Sequence, residues 1–250
     1  MGIIFDGRKF NSKRSPQGEL SNDTVINSIR FLVVNALLGE DRLPFNLNKN
    51  LLSIKGKRTR YSGDRTFKSL KVKGSFENVD PNNENTWKSA KVEQIQYKGK
   101  DGIINIKQIK KSDSLSTLYN WSRIERIDEF IFRGDDIIYS EKNGRSNAYI
   151  DGFAGDDVLY LYGGEDAWGS KGKDKFIITK EAVKYMKTRK NNFGYIDIND
   201  ASFAEGDKIE IFSNPDSFNL YTNGQELEYE TDFARINIES KQGRVLADFV

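Results

Sequence analysis

The chain has 250 residues, carries a formal net charge of +2 and contains neither cysteine nor histidine. Without cysteine there are no disulfides and no thiol chemistry. Without histidine, the hydrolase triads built on it and the usual zinc and iron ligands are excluded. Any metal must therefore be held by oxygen, which favours calcium. The length suits one large domain or two small ones.

The charge is unevenly distributed along the chain. Residues 1–125 contain 23 Lys and Arg against 13 Asp and Glu, whereas residues 126–250 contain 16 against 24. A basic first half suits an anionic polymer such as an acidic polysaccharide, a membrane surface or a nucleic acid. The simpler explanation, which we prefer, is that the two halves balance one another.

The first elements predicted are a short strand at 3–5 and a helix from Asn22 to Leu38. The helix follows from apolar residues spaced at a period of 3.6, with polar capping residues before it and Gly39 after it. No signal peptide is evident, because the basic residues follow the apolar run at 3–5 instead of preceding it. The longest apolar run, 31–38, is interrupted by Asn35, so we expect no membrane span.

Residues 40–65 are rich in loop-forming and basic residues, with one candidate strand at 51–54. Their basic run is a candidate patch for phosphate or a polyanion, although most such runs are solvated loops. The residues of this patch are Lys55, Lys57, Arg58 and Arg60.

Residues 66–109 are predicted to be β-structure, with a strand at 67–76 followed by a hairpin. Apolar residues at alternate positions mark the hairpin arms at 92–97 and 103–109, on either side of a glycine turn. Residues 112–131 are predicted to be helical, because apolar residues recur every three positions after a Ser-Asp-Ser cap.

The stretch 132–178 repeats a Gly-x-Asp-x-apolar unit four times. Its aspartates are Asp136, Asp157, Asp166 and Asp174; its glycines are Gly134, Gly155, Gly164 and Gly172; its apolar residues are Ile138, Leu159, Trp168 and Phe176. Successive aspartates 157, 166 and 174 are nine and eight positions apart. Counting back nine from Asp157 gives Ala148, which stands where a further aspartate is expected. Glycine permits tight turns, and the extended Asp-x-apolar end directs its apolar side chain inward.

This pattern resembles the glycine-rich nonapeptide repeat of the RTX family of calcium-binding proteins. The resemblance implies a short parallel β-roll in which Ca²⁺ bridges turns two repeats apart. Asp136 with Asp157, and Asp157 with Asp174, then flank two sites on one edge. On the other edge Asp166 is paired with Ala148, which implies a weaker site or none. The eight glycines and aspartates of the repeat are thus the candidate metal residues.

Basic residues within the repeats depart from the family pattern. They are Arg133, Arg145, Lys171, Lys173 and Lys175. Cations in or beside the turns oppose Ca²⁺, and the alternative structure is a set of Gly/Asp-rich surface turns joining ordinary strands.

The residues after the repeats complete the resemblance. A short basic helix is predicted at 180–189 and strands near 218–221 and 233–238, while Phe203 with the run 206–209 resembles the strand that closes many RTX rolls. The chain end, Asp248-Phe249-Val250, resembles that of proteins exported by type I, ABC-type secretion. A roll has an open end that must be covered, and we assign the helical segment 113–131 as that cap.

The sequence therefore predicts a mainly β protein with a few helices. An α+β part at 1–112 precedes an RTX-like domain at 113–250, which consists of a helical cap, a short parallel β-roll and closing strands. The function expected is a secreted, non-enzymatic calcium-binding module that folds on Ca²⁺ after export, with a structural, adhesive or surface role. The alternatives are an extracellular polysaccharide-active enzyme with an RTX accessory module and a polyanion-binding protein using the basic first half. A cytoplasmic location is the alternative to secretion.

Overall fold

The structure is a computed structural model. It describes residues 2–10, 20–38, 43–56, 67–99, 102–108, 115, 117–142, 148–188, 194–212, 219–222, 226–231, 234–240 and 247–249.

The described residues form seventeen strands and five helices. The strands are β1 Ile3–Phe10, β2 Phe45–Asn48, β3 Leu51–Lys55, β4 Phe67–Ser75, β5 Lys91–Gly99, β6 Gly102–Gln108, β7 Ile137–Tyr139, β8 Ala148–Asp151, β9 Val158–Leu161, β10 Glu165–Trp168, β11 Lys175–Ile178, β12 Gly194–Ala201, β13 Lys208–Ile211, β14 Asn219–Thr222, β15 Glu226–Thr231, β16 Ala234–Ser240 and β17 Ala247–Phe249. The helices are α1 Asn22–Leu38, a 3-10 helix Glu84–Ser89, α2 Leu118–Arg123, α3 Ile127–Ile131 and α4 Lys180–Thr188.

Eleven of the strands make one sheet that has an antiparallel and a parallel half. The antiparallel half runs β2-β3-β4-β5-β6-β1, and the parallel half continues from β1 through β7, β9, β11, β13 and β17. In the second sheet β8, β10, β12 and β16 are parallel, and β15 and β14 extend it antiparallel. From β7 to β13 the chain therefore alternates between the two sheets, one strand in each.

Strands β7, β8, β9, β10 and β13 bury alternate side chains, as a pleated strand with one face on a core requires. Strand β11 departs from this pattern and buries Phe176, Ile177 and Ile178 in succession. Ile138, Leu159, Phe176 and Ile209 lie in register in the first sheet and are no more than 1% exposed. In the second sheet Ile150 is fully buried. These side chains belong to one apolar cluster that also includes the inner faces of β1–β6 and of α1.

Strand β1 joins the N-terminal part of the chain to the repeats. It pairs antiparallel with β6 on one side and parallel with β7 on the other, with Phe5 opposite Ile138. The edge of β7 that we assigned to a helical cap at 113–131 is thus occupied by a strand. The sheet crosses the predicted boundary between residues 112 and 113.

The predicted helix from Asn22 to Leu38 is confirmed, as is the hairpin of β5 and β6. The segment 112–131, predicted to be helical, contains two short helices, α2 and α3, in its described part. Thr117 caps α2 by accepting a hydrogen bond from the amide of Asn120, and extended backbone at Ile124 separates α2 from α3. Residues 112–114, where we placed the cap, lie outside the described residues.

No helix among the described residues is long and apolar enough to cross a bilayer.

Candidate metal centre

Four aspartates stack in a column where strands of the parallel half-sheet begin. Asp136, Asp157, Asp174 and Asp207 immediately precede β7, β9, β11 and β13. The registers of these strands bring the four residues to equivalent positions. The first three are 1% exposed and the fourth 6%. The repeat unit therefore gathers acidic side chains at one edge, as the spacing predicted for Asp136, Asp157 and Asp174.

One oxygen of each carboxylate is used in a hydrogen-bonded ladder. The main-chain amide of each layer donates to Oδ1 of the aspartate in the next layer. The donor and acceptor residues are Ile3 and Asp136 at 2.6 Å, Asp136 and Asp157 at 2.7 Å, Asp157 and Asp174 at 3.0 Å, and Asp174 and Asp207 at 2.8 Å. These bonds give the main-chain amides at the start of each strand the hydrogen-bond partner that water would otherwise supply. The ladder thus fixes every side chain of the column.

The second oxygens are different, because three of them are buried without a partner. Oδ2 of Asp136, of Asp157 and of Asp174 makes no hydrogen bond within the described part of the chain. A buried carboxylate oxygen without a partner costs free energy unless a proton or a cation compensates it. These three atoms are the observation that makes the column a candidate cation site.

The turn backbone lies directly against two of these oxygens. A Cβ built on Gly152 would collide with Oδ2 of Asp157, and one built on Gly169 would collide with Oδ2 of Asp174. Both glycines precede their aspartate by five positions in the same turn. The absence of a side chain at these glycines lets each oxygen pack directly against the turn backbone.

Burial raises the pKa of the column aspartates. The pKa rises from 3.8 to about 8 for Asp136, to about 9 for Asp157 and to about 7 for Asp174, with burial as the largest cause and neighbouring carboxylates adding to it. The backbone hydrogen bonds oppose this rise without cancelling it. The negatively charged form of the column is therefore unfavourable unless positive charge is supplied.

Asp207 closes the column and was not predicted as a member. Its Oδ1 accepts from Asp174 and its Oδ2 accepts from the amide of Ser202 at 2.7 Å, so both oxygens are satisfied. The missed signal was Asp207-x-Ile209, which keeps the Asp-x-apolar offset. Glu205 stands where the unit requires glycine, and that departure concealed the repeat.

The predicted glycines serve close stacking of the turns. Gly155 and Gly172 adopt φ values of 136° and 138°, a region that favours glycine. A Cβ on Gly155 would collide with the carbonyl oxygen of Gly134, and one on Gly172 with that of Gly155. Gly134 itself has no positive φ.

The basic residues around the repeats point away from the column where the structure describes their contacts. Lys175 pairs with Glu210 at 2.7 Å on the outer face of the sheet. The guanidinium of Arg133 lies 4.0 Å from the centre of the Phe130 ring. The contacts therefore assign both cations to other partners, while Arg145 lies outside the described residues.

The opposite edge corrects two predictions. Ala148 pairs with Glu165, and Asp166 pairs with Tyr149, so the expected pairing of Asp166 with Ala148 is wrong by one residue. Because alternate residues of a strand face opposite ways, this shift also places Trp168 on the outer face, stacked 6.1 Å from the Tyr149 ring. Gly164, with φ 86°, lies in the turn before Glu165, away from the aspartate column.

Two further carboxylates, one at each edge, accept hydrogen bonds from backbone amides. At the opposite edge Glu165 is fully buried and accepts from the amides of Tyr162 and Gly163, both at 2.7 Å. At the column's own edge Asp200 accepts from the amides of Gly169 and Ser170, both at 2.8 Å, in the turn that leads to Asp174. Burial raises the pKa of Glu165 to about 7 even with these bonds. Both carboxylates differ from the first three column aspartates in having an amide donor for each oxygen.

The column suits a cation only with help from other oxygens. Among the described residues no three acidic side chains converge on one point. Neighbouring aspartates supply two carboxylate oxygens, and Ca²⁺ takes six to eight, so the remainder must be backbone carbonyls and water. The orphaned oxygens, packed against glycine turns, are of the donor type that such a site uses.

The candidate polyanion patch falls mostly outside the described residues. Lys57, Arg58 and Arg60 are not described, and Lys55 is an exposed residue at the end of β3.

Comparison of the chain with protein-family models, with curated proteins and with solved structures finds no match.

Proposed function

We propose that this chain is a secreted, non-enzymatic protein whose parallel β-roll is completed by Ca²⁺ at the aspartate column. The roll comprises the strands from β7 to β13, which alternate between two parallel half-sheets. The RTX-like Gly-x-Asp-x-apolar spacing supports the same assignment. The observation that carries the proposal is the set of three buried Oδ2 atoms without partners on Asp136, Asp157 and Asp174.

The two carboxylate oxygens of Asp136, Asp157 and Asp174 have different roles. Oδ1 accepts from a main-chain amide and holds the layers in register. Oδ2 of Asp136, Asp157 and Asp174 would hold the ion, because these atoms have no other partner in the described structure. Bound Ca²⁺ supplies the positive charge that makes ionised, buried carboxylates tolerable.

This arrangement couples folding to calcium. In a cytosol poor in calcium, repulsion and desolvation of the column aspartates oppose folding, and an unfolded chain suits passage through an ABC-type exporter. Outside the cell, calcium binds the folded form alone, so binding free energy adds to stability. Saturation at about 100 times the dissociation constant stabilises by about 2.7 kcal/mol per site. The role we propose for the folded protein is structural, adhesive or at a surface.

The test is a Ca²⁺ titration of metal-stripped protein at pH 8, followed by circular dichroism and melting temperature, with Mg²⁺ as the control ion. We expect a Ca²⁺-specific gain of β signal and a rise in melting temperature. A melting temperature that Ca²⁺ leaves unchanged, or that Mg²⁺ raises equally, would overturn the assignment of a calcium site. Export is tested separately, by comparing secretion with and without a functional ABC exporter.

A further inference from the structure

The outer face of strands β3 to β6 carries a concentrated set of lysines. They are Lys55, Lys71, Lys73, Lys98 and Lys107, and we call this surface the lysine face. All five are exposed, and each alternates with residues that point into the core. The face is separate from the aspartate column, which lies where the parallel strands begin.

The strand registers place these lysines in rows across the sheet. Lys73 is opposite Gln94, which is opposite Lys107, while Lys71 is opposite Gln96 in the next row. Adjacent strands lie about 4.8 Å apart, so Lys73 and Lys107 are separated by about 10 Å and each row adds about 7 Å along the strand. The result is a grid of ammonium groups across neighbouring strands.

None of the residues that pair in register with these lysines on β3 to β6 is acidic: they are Leu51, Ser53, Ser69, Gln94, Gln96 and Ile103. Two acidic residues lie beside the face. Glu93 is exposed in β5 where its pairing with β4 shifts register, and Asp6 of β1, opposite Asn105, forms an ion pair with Arg8. None of the five lysines forms an ion pair within the described part of the chain. Gln96 and Asn105 are joined by a 3.0 Å hydrogen bond between their amide groups, which fixes donors and acceptors in the middle of the face. Five unpaired cations together generate a positive potential that attracts an anionic polymer.

We propose that the lysine face binds an extended acidic polysaccharide that carries carboxylate groups. Ammonium groups neutralise carboxylates as point charges, and the amide and hydroxyl side chains between them suit the hydroxyls of sugar rings. A sheet face spanning four strands accommodates a chain that lies across several rows. This binding does not depend on the proposed calcium site.

The same residues argue against a nucleic acid as the partner. The face contains no arginine, the side chain best suited to phosphate recognition. It also lacks an exposed aromatic ring for base stacking in its rows. Tyr97 of β5 is buried and stacks on Phe67 at 5.9 Å. Farther along the sheet, Tyr139 and Tyr160 stack on one another at 4.5 Å, and Arg8 lies 4.2 Å from the centre of the Tyr139 ring. Their ring faces are therefore already engaged.

The proposal is tested with hyaluronate, a carboxylated polymer that does not gel with calcium, on full-length protein in Ca²⁺-containing buffer. The test variant replaces Lys71, Lys73 and Lys107 with glutamine. The matched control replaces three exposed lysines elsewhere with glutamine, which changes the net charge equally. These lysines are Lys88, Lys180 and Lys184. Circular dichroism verifies that both variants fold.

We expect binding at low ionic strength that weakens with added salt, a loss of about tenfold or more in the test variant, and little change in the control. Dextran, which is neutral, should not bind. Three outcomes would overturn the proposal: no binding of hyaluronate at low salt, equal losses in both variants, or tighter binding of single-stranded DNA than of hyaluronate at the same ionic strength. The last would identify a nucleic-acid surface. Because calcium is present in all samples, the result does not depend on whether the column binds it.

Discussion

The main-chain amide of Asp136 donates a 2.7 Å hydrogen bond to Oδ1 of Asp157, 21 positions later in the chain. The bond occupies one carboxylate oxygen and leaves the other, Oδ2, buried without a partner in the described structure. Because the pKa of Asp157 is raised to about 9 by burial, its compensation at neutral pH comes from either a proton or a cation. The two sources of positive charge make different predictions.

Replacing Asp157 with asparagine should have opposite effects with and without calcium. Asparagine retains an oxygen to accept from the amide of Asp136 and removes the buried negative charge. In metal-free protein at pH 8 we expect Asp157→Asn to be more stable than wild type, by on the order of 1–4 kcal/mol. In saturating Ca²⁺ the order should reverse, because the variant has lost a ligand. Urea denaturation under both conditions measures the two differences.

The neighbouring aspartate provides the control for this substitution. Asp156 is exposed, and its Oδ1 accepts from the amide of Lys173 at 2.9 Å. Asp156→Asn changes the charge equally in the same turn and should leave the gain of stability from Ca²⁺ intact. If both variants lose that gain, general charge repulsion governs the response and the column has no specific role.

Metal-free protein should lose stability as the pH rises. Folding raises the pKa of Asp136, Asp157 and Asp174 from 3.8 to about 8, about 9 and about 7. Between these limits the folded state holds protons that the unfolded state has released, so the free energy of unfolding falls from about pH 4 to about pH 9. Urea denaturation at intervals across this range measures the slope. The gain of stability from Ca²⁺ should be larger at pH 8 than at pH 5, since protons and the ion compete for the same oxygens. A free energy of unfolding that stays constant or increases over this range in metal-free protein would contradict the buried column.

Alanine at Gly172 should strongly destabilise the stacked turns between the two parallel half-sheets. The residue has φ 138°, and its added Cβ would collide with the carbonyl oxygen of Gly155. Backbone strain of this kind costs about 1–3 kcal/mol, and the collision adds to it. The melting temperature of Gly172→Ala should fall by several degrees, given about 2–4 °C per kcal/mol for a chain of this size. The melting temperature of Gly134→Ala should fall less, because Gly134 has no positive φ. Equal losses in the two variants would show that the stacking of the turns is not the cause.

The sequence predicted the aspartate column because the information for it is local. A glycine two positions before each aspartate and an apolar residue two positions after it encode a turn and an inward-facing strand. Asp136, Asp157 and Asp174 follow this rule and stack as expected. The helix Asn22–Leu38 was predicted for the same reason, since its apolar period is contained within one segment.

The parts that sequence could not supply depend on pairing between distant residues. Nothing local indicates that β1 lies beside β7, because Phe5 and Ile138 are far apart in the chain. At the opposite edge, Glu165 and Asp166 are adjacent acidic residues. Whichever of the two pairs with Ala148 decides which face of the strand each side chain occupies. The nonapeptide count selected Asp166, whereas the two amides of a short glycine turn bind Glu165.

Glutamine at Glu165 should destabilise the fold without affecting calcium. Both carboxylate oxygens accept from main-chain amides, and a glutamine NH₂ would place a donor against one of those donors. Loss of one buried hydrogen bond and an unsatisfied amide cost about 1–3 kcal/mol. The melting temperature of Glu165→Gln should therefore fall at pH 8, while the increase produced by Ca²⁺ remains that of wild type. A variant that also loses its Ca²⁺ response would instead connect this edge to the cation site, and the aspartate column would not be the sole origin of calcium dependence.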